Sequence, residues 1–262
     1  MAYFFHLLEK AFDTFLEFPD RFKYKLPRNR MLTIIIPSYN EADQIGLTLR
    51  HLLNPQDRPW IAQILVADGG SKDNTGIEAQ QAGAELVRCA QKGRAAQLNA
   101  AARLARTGTL YFLHADSRPP LGFALEILQA VRQGERCGCY RLRFDHGHWF
   151  LRLLGWCTRF DIAALRYGDQ SLFVQKDFFE QIGGYDEELT LMEDYDIVRR
   201  LRSLGRFRIL PRPLTTSARK YLRNGIYYLQ AVFILIYLLH KIGLPQPKLV
   251  RTYQALIRQD KI

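Results

Sequence analysis

Carboxylates stand at Asp68-Gly69-Gly70-Ser71, at Asp116 and at the adjacent pair Glu193-Asp194. A carboxylate can accept hydrogen bonds from a ligand, hold a divalent cation or take a proton as general base. Ser38-Tyr39-Asn40-Glu41 adds an aromatic ring and another carboxylate. Lys92-Gly93-Arg94 opens a helical segment, and a helix N-terminus carrying basic side chains favours an anion. Each cluster also has a plain structural reading. Asp68-Gly69-Gly70-Ser71 makes a tight turn with a helix cap, and Glu193-Asp194 complements a helix dipole. Gln97 and Asn99 read as solvated helix positions. His146 and His148 can ligate a metal or stand as exposed loop histidines.

The elements that position these residues come from hydrophobic periodicity. Leu32 to Ile36 is a short, strongly β-branched run, the pattern of a strand buried on both faces. Glu41 to Leu53 has helical spacing at Ile45, Leu49, Leu52 and Leu53. Ile61 to Ala67, Glu85 to Arg88 and Thr109 to Leu113 read as further strands. Between them run helices from Asp73 or Asn74 to Ala82 and from Gly93 to Ala105. Cys139 to Phe144 and Ser171 to Val174 look like strands, and Trp149 to Phe160 and Asp194 to Leu204 look helical. This alternation predicts an α/β fold, a mostly parallel sheet with helices on both faces. Ligands of such sheets bind beyond the carboxyl ends of the strands. Ser38 to Glu41, Asp68 to Asp73 and Asp116 all fall there.

Three regions are expected: an amphipathic helical extension over 1–30, the α/β domain over 31–213 and a basic, apolar helical tail over 214–262. Lys and Arg total 37 against 26 Asp and Glu, a formal net charge of +11, so an anionic partner is expected. With 48% apolar and 24% charged residues the chain has globular proportions, which excludes disorder and collagen-like repeats. Cys89, Cys137, Cys139 and Cys157 form no C-x-x-C pair, the usage of reduced thiols in a cytoplasmic protein. Met1 to Leu26 interleaves apolar clusters with Glu9, Lys10, Asp13 and Glu17, unlike a secretory signal. Ile226 to Leu239 is shorter than the roughly 20 residues that span a bilayer. Flanked by Arg219, Lys220, Arg223, Lys241 and Lys248, it suits a helix lying on an anionic membrane surface. Packing on the main domain, or on a second copy as a homodimer, is the other reading.

Ile34-Ile35-Ile36-Pro37-Ser38-Tyr39-Asn40-Glu41, Asp68 to Thr75, Gly93 to Asn99 and Met192-Glu193-Asp194 together resemble family 2 glycosyltransferases of the GT-A fold. Four motifs in order carry the resemblance, over Leu32 to Pro213. His114-Ala115-Asp116, Gly168-Asp169-Gln170 and Thr215 to Arg219 resemble a bacterial subgroup of that family. The resemblance implies inverting transfer of one sugar from a nucleotide-sugar donor, expected to be a UDP-sugar, to an acceptor hydroxyl, with a lipid or membrane-proximal acceptor suggested by the tail. It implies that Pro37 and Tyr39 wall the base, Glu41 accepts from the ribose and Asp68 accepts from the uracil N–H. Gly69, Lys92, Gly93, Arg94, Gln97, Ala115 and Asp116 complete the donor site, and Asp169 and Gln170 shape the sugar or acceptor site. Asp194 matches the family's base, with Glu193 as its neighbour or substitute.

The family's D-x-D metal motif reads Asp116-Ser117-Arg118 here, so one carboxylate is missing. Asp116 is the expected ligand of Mg²⁺ or Mn²⁺, while Arg118 can instead neutralise phosphate. Arg219 and Lys220 can close over the diphosphate or remain interfacial charge. The Q-x-x-R-W motif of processive members is absent, which favours single-sugar transfer. A nucleotidyltransferase and a non-catalytic sugar-nucleotide-binding relative stay open, whereas nucleic acid is not expected as a partner.

Overall fold

The computed structural model describes residues 31–89, 91, 93–162 and 170–258. The expected N-terminal extension, Lys92 and Asp169 lie outside the described residues.

The first half is built as the periodicity predicts. Strands β1 (Leu32–Ser38), β2 (Ile61–Asp68), β3 (Glu85–Arg88) and β4 (Thr109–Phe112) are parallel. Helices α1 (Ala42–Leu52), α2 (Thr75–Gln81) and α3 (Arg94–Arg103) return the chain between them. Leu32, Ile34, Ile35 and Ile36 are all fully buried, because helices cover both faces of β1. On one face Ile34 and Ile36 pack with Ile45 and Leu49 of α1; on the other Ile35 packs with Leu98 of α3.

Beyond β4 the sheet becomes mixed. Its order is β3-β2-β1-β4-β7-β6-β8-β5. The added elements are β5 (Ser117–Arg118), α4 (Phe123–Arg132), β6 (Cys137–Phe144), α5 (Trp149–Cys157), β7 (Leu172–Gln175), α6 (Lys176–Gln181), α7 (Glu193–Leu204) and β8 (Arg208–Thr216). β7 runs antiparallel to β4 and to β6, while β8 is parallel to β6. The sequence reading did not anticipate β8, and the strand runs on past Pro213 to Thr216. Its prolines hid it. They are tolerated because the β6–β8 register shifts where Leu210 pairs Tyr140 and Pro213 pairs Arg141, leaving Pro211 outside the ladder.

The order places β2 on one side of β1 and β4 on the other. That reversal is the topological switch point, where a crevice opens beyond the strand ends.

After β8 come α8 (Arg219–Asn224), α9 (Ile226–Lys241) and α10 (Gln246–Leu256). They dock on the sheet rather than trailing from it. Leu229, Val232 and Ile236, at i, i+3 and i+7, join Phe144, Leu151, Leu249 and Tyr253 in a third core. The other face of α9 leaves Tyr227, Tyr228, Ile234, Leu235 and Leu238 exposed. Among the described residues no helix is long and apolar enough to cross a membrane.

Candidate active site

The loops after β1 and β2 are latched to each other. Asn40 adopts a left-handed conformation, φ 53°, which asparagine tolerates better than most residues. Its amide donates to Ser71 Oγ at 2.9 Å, and its Oδ1 accepts from the Lys72 amide at 2.8 Å. The Glu41 amide donates to Thr75 Oγ1 at 2.8 Å and the Ala42 amide to Asp73 Oδ2 at 3.2 Å. The orphan amides at the start of α1 are thus satisfied by the second motif. Asp68, at the end of β2, accepts from the Ser71 amide and hydroxyl. Pro37 and Tyr39 stand half-buried at the end of β1.

Gln97 and Asn99 are buried, so the plain reading of solvated helix positions fails for both. Gln97 Nε2 donates to the Ser38 carbonyl at 3.3 Å, bracing the end of β1. It passes so close to Gly69 that a Cβ there would lie 2.0 Å from Nε2. The glycine is needed for this approach. Asn99 clamps the backbone of Tyr185, accepting from its amide at 2.9 Å and donating to its carbonyl at 2.8 Å. Gly184, at φ +72°, admits that clamp, since a Cβ would meet Asn99 Oδ1 at 2.7 Å. Both polar side chains have partners far away in sequence, so local periodicity could not reveal them.

Charges of alternating sign cross the strand ends. Arg219, at the start of α8, reaches Glu41 Oε2 at 3.3 Å and Asp116 Oδ2 at 4.0 Å. Glu41 follows β1 and Asp116 follows β4, so this contact spans the switch point. Two residues before Asp116, His114 Nε2 lies 2.7 Å from Arg94 Nη2. Arg94 Nη1 in turn lies 2.8 Å from Asp194 Oδ2 and 3.7 Å from Glu193 Oε1. Met192, at φ 70°, makes the turn that presents the acidic pair.

Burial raises the pKa of Asp194, an effect opposed by Arg94 and by a hydrogen bond donated by Tyr185. Burial, followed by the charge of Asp194, pushes Glu193 up to about 7. A carboxylate held this way can accept a proton near neutral pH. Tyr185 was not among the expected site residues. Its signal was Gly183-Gly184-Tyr185, two glycines in left-handed conformations just before a tyrosine. His114 was read only as part of a motif.

Several expected residues have other partners. Gln170 is buried, and its Oε1 accepts from Cys139 Sγ at 3.3 Å. The Ala115 carbonyl accepts from Thr48 Oγ1 at 2.6 Å. Gly93, at φ +119°, lets the chain turn into α3. Lys220 Nζ bonds the Tyr253 hydroxyl and its charge also reaches Glu193, while Arg219 contacts Glu41 and Asp116. His148 caps α5 by accepting from the Phe150 amide at 3.3 Å, and His146 accepts from the His148 amide at 3.2 Å. The H-x-H pair is therefore helix-capping structure. All four cysteines are free thiols.

For a divalent metal, the chain offers oxygen ligands of the right hardness but few of them. Asp116 is half-buried at the switch point, Ser117 Oγ is occupied with Thr216 Oγ1 at 3.0 Å, and Arg118 is exposed. Among the described residues no group of three His, Cys, Asp or Glu could hold an ion. Asp116 fits Mg²⁺ or Mn²⁺ as one ligand of a set that a diphosphate would complete.

Comparison with known proteins defines the class. The Glycosyl transferase family 2 pattern matches residues 33–181, more than half of the chain. The chain belongs to this family, has the GT-A fold and is a glycosyltransferase. No curated protein matches it in sequence. Among solved structures it is similar to the mannosyltransferase PcManGT from Pyrobaculum calidifontis, in complex with GDP-Man and Mn²⁺. That likeness has 17% identity and a TM-score of 0.61, over 95% of this chain and 80% of the other. It is also similar to glucosyl-3-phosphoglycerate synthase from Mycobacterium tuberculosis, in complex with Mn²⁺, UDP and phosphoglyceric acid. There the identity is 16% and the TM-score 0.55, over 82% and 80%. S. aureus TarS 1-349 with UDP-GlcNAc gives 12% identity and a TM-score of 0.57, over 86% and 71%.

Proposed function

We propose that this chain moves a single sugar from a UDP-linked donor to an acceptor hydroxyl, with inversion at the anomeric carbon. The Arg94–Asp194 ion pair beside the switch point carries the reading, because it sets a part-buried carboxylate of raised pKa next to a phosphate-seeking guanidinium. Pro37 and Tyr39 wall the base, Asp68 accepts from the uracil N–H and Glu41 takes the ribose hydroxyls. Gln97 and Gly69 keep the strand ends in place. Asp169 and Gln170 belong to the sugar or acceptor side, by family resemblance.

In the reaction the acceptor oxygen attacks the anomeric carbon while the bond from that carbon to the β-phosphate oxygen breaks. Asp194 takes the hydroxyl proton, and the electron pair of the broken bond leaves with UDP. Tyr185 donates to Asp194 and so sets the pH at which it is a base; Arg94 favours its ionised form. Mg²⁺ or Mn²⁺, held through Asp116, would supply positive charge to the departing diphosphate. Glu193 keeps the site acidic behind Asp194.

A membrane-proximal acceptor is the second part of the proposal. Trp149, Phe150 and Tyr227 form one aromatic cluster joining α5 to α9, with Trp149 61% and Tyr227 54% exposed. Between Ser217 and Gln259 the only charged residue types are Lys and Arg. Aromatic rings with cations and no acids suit the interface of an anionic bilayer.

The test is a thermal-shift panel of UDP- and GDP-sugars with Mn²⁺ or with chelator. A ligand at 100 times its Kd stabilises the native state by about 2.7 kcal/mol. A UDP-sugar should raise Tm, more so with Mn²⁺. Pyrophosphate release from a nucleoside triphosphate, with no shift by any sugar nucleotide, would overturn the reading in favour of a nucleotidyltransferase.

A further inference from the structure

The two carboxylates that flank the switch point are bridged by a cation from much later in the chain. Arg219 touches Glu41 at 3.3 Å and Asp116 at 4.0 Å. We propose that Arg219 is the donor site's built-in counter-cation: it holds Glu41 and Asp116 before the donor binds and transfers its ion pair to the donor diphosphate. Nucleoside diphosphate then binds in part without a divalent metal. The inference rests on the donor-site reading above.

Arg219 is delivered to this place by rigid structure. Thr216 pairs with Ser117, the residue after Asp116, and their hydroxyls bond at 3.0 Å. The Ala218 amide donates to Asp145 Oδ1 at 2.7 Å. On the other side Lys220 bonds the Tyr253 hydroxyl, and Tyr221 packs edge-on against Phe144. The backbone is clamped before and after Arg219, while its side chain keeps 33% exposure.

Its present contacts are loose. Charge-assisted N–H···O bonds settle at about 2.7–2.9 Å, and neither contact of Arg219 is that short. A diphosphate offers a planar guanidinium paired oxygens, a better match than two separate carboxylates. Its arrival also adds negative charge beside Glu41 and Asp116, which a neighbouring cation offsets. Arg219 bonded to phosphate would give up its contact with Glu41, the carboxylate proposed to accept from the ribose. Arg118, the residue in place of the second D-x-D carboxylate, is exposed, whereas Arg219 of α8 already contacts both Glu41 and Asp116.

Isothermal titration with UDP, and in parallel GDP, in chelator and in Mn²⁺ tests this on the full chain. Wild type should bind UDP in chelator. R219Q should bind it at least about tenfold more weakly there, the loss expected for a hydrogen bond to a charged group. Mn²⁺ should narrow the gap, R219K should recover part of the loss, and uridine, which has no phosphate, should bind both proteins alike. Equal UDP binding by wild type and R219Q in chelator would overturn the inference, as would an equal loss for uridine. If R219Q does not fold, R219K decides by the same comparison with wild type. Failure of wild type to bind either nucleotide with or without Mn²⁺ would overturn the donor-site reading itself, and this inference with it.

Discussion

Arg94 Nη1 and Asp194 Oδ2 stand 2.8 Å apart, joining the first turn of α3 to the first turn of α7. One residue comes from the parallel half of the sheet and the other from the mixed half, so the site exists only when both are folded together. The guanidinium also meets His114, which follows β4. A change at Arg94 therefore reaches both the base and the strand end where the diphosphate is proposed to lie.

Tyr185→Phe removes the hydroxyl that donates to Asp194 and keeps the ring in its buried place. A hydrogen bond to the charged form lowers a pKa, so its loss raises that of Asp194 further. The acid limb of the kcat/KM profile should move to higher pH, with Tm almost unchanged. An unmoved limb would remove Tyr185 from this role.

Glu193 gives the fold a pH dependence of its own. Its native pKa is about 7 against an ordinary 4.5. Between these values the native state binds more protons than the unfolded chain. Stability therefore falls as pH rises from about 4.5 to about 7. Melting curves across that range should show the slope, and Glu193→Gln should flatten it. A slope identical in the variant would assign the effect to other groups.

Gly69→Ala should cost about 1–3 kcal/mol, because the added methyl forces Gln97 from the Ser38 carbonyl. Chemical denaturation measures the cost. Combining it with Gln97→Ala should recover part of it, and strict additivity of the two would contradict the contact.

The acid-free face of α5 and α9 predicts sedimentation with phosphatidylcholine vesicles containing phosphatidylglycerol, and not with phosphatidylcholine alone. Binding should fall with salt and with Trp149→Ala combined with Tyr227→Ala. A stable dimer in solution that buries these rings, with no vesicle binding, would replace the membrane reading.

What the sequence made legible follows from where each residue's partners lie. β1 to β4 could be read because each strand is a short apolar run buried between helices, as at Ile34, Ile35 and Ile36. The loops at their ends could be read because motif residues bond within or between neighbouring loops, as Asn40 does with Ser71. β8 could not, since Pro211 and Pro213 imitate a break and the register shift that absorbs them is a tertiary property. The bonding partners of Gln97 and Asn99 could not be read because Ser38 and Tyr185 lie far off in sequence. Arg219 could be read as able to close over the diphosphate, but its contact with Glu41, 178 positions away, is a tertiary property.

The most direct measurement is UDP release by Asp194→Asn, set against its affinity for the donor that the thermal panel identifies. The account predicts donor binding close to wild type and turnover lower by about 10²–10⁴, the usual worth of general-base catalysis. Turnover near wild type with the donor bound would contradict the assignment of Asp194 as the base.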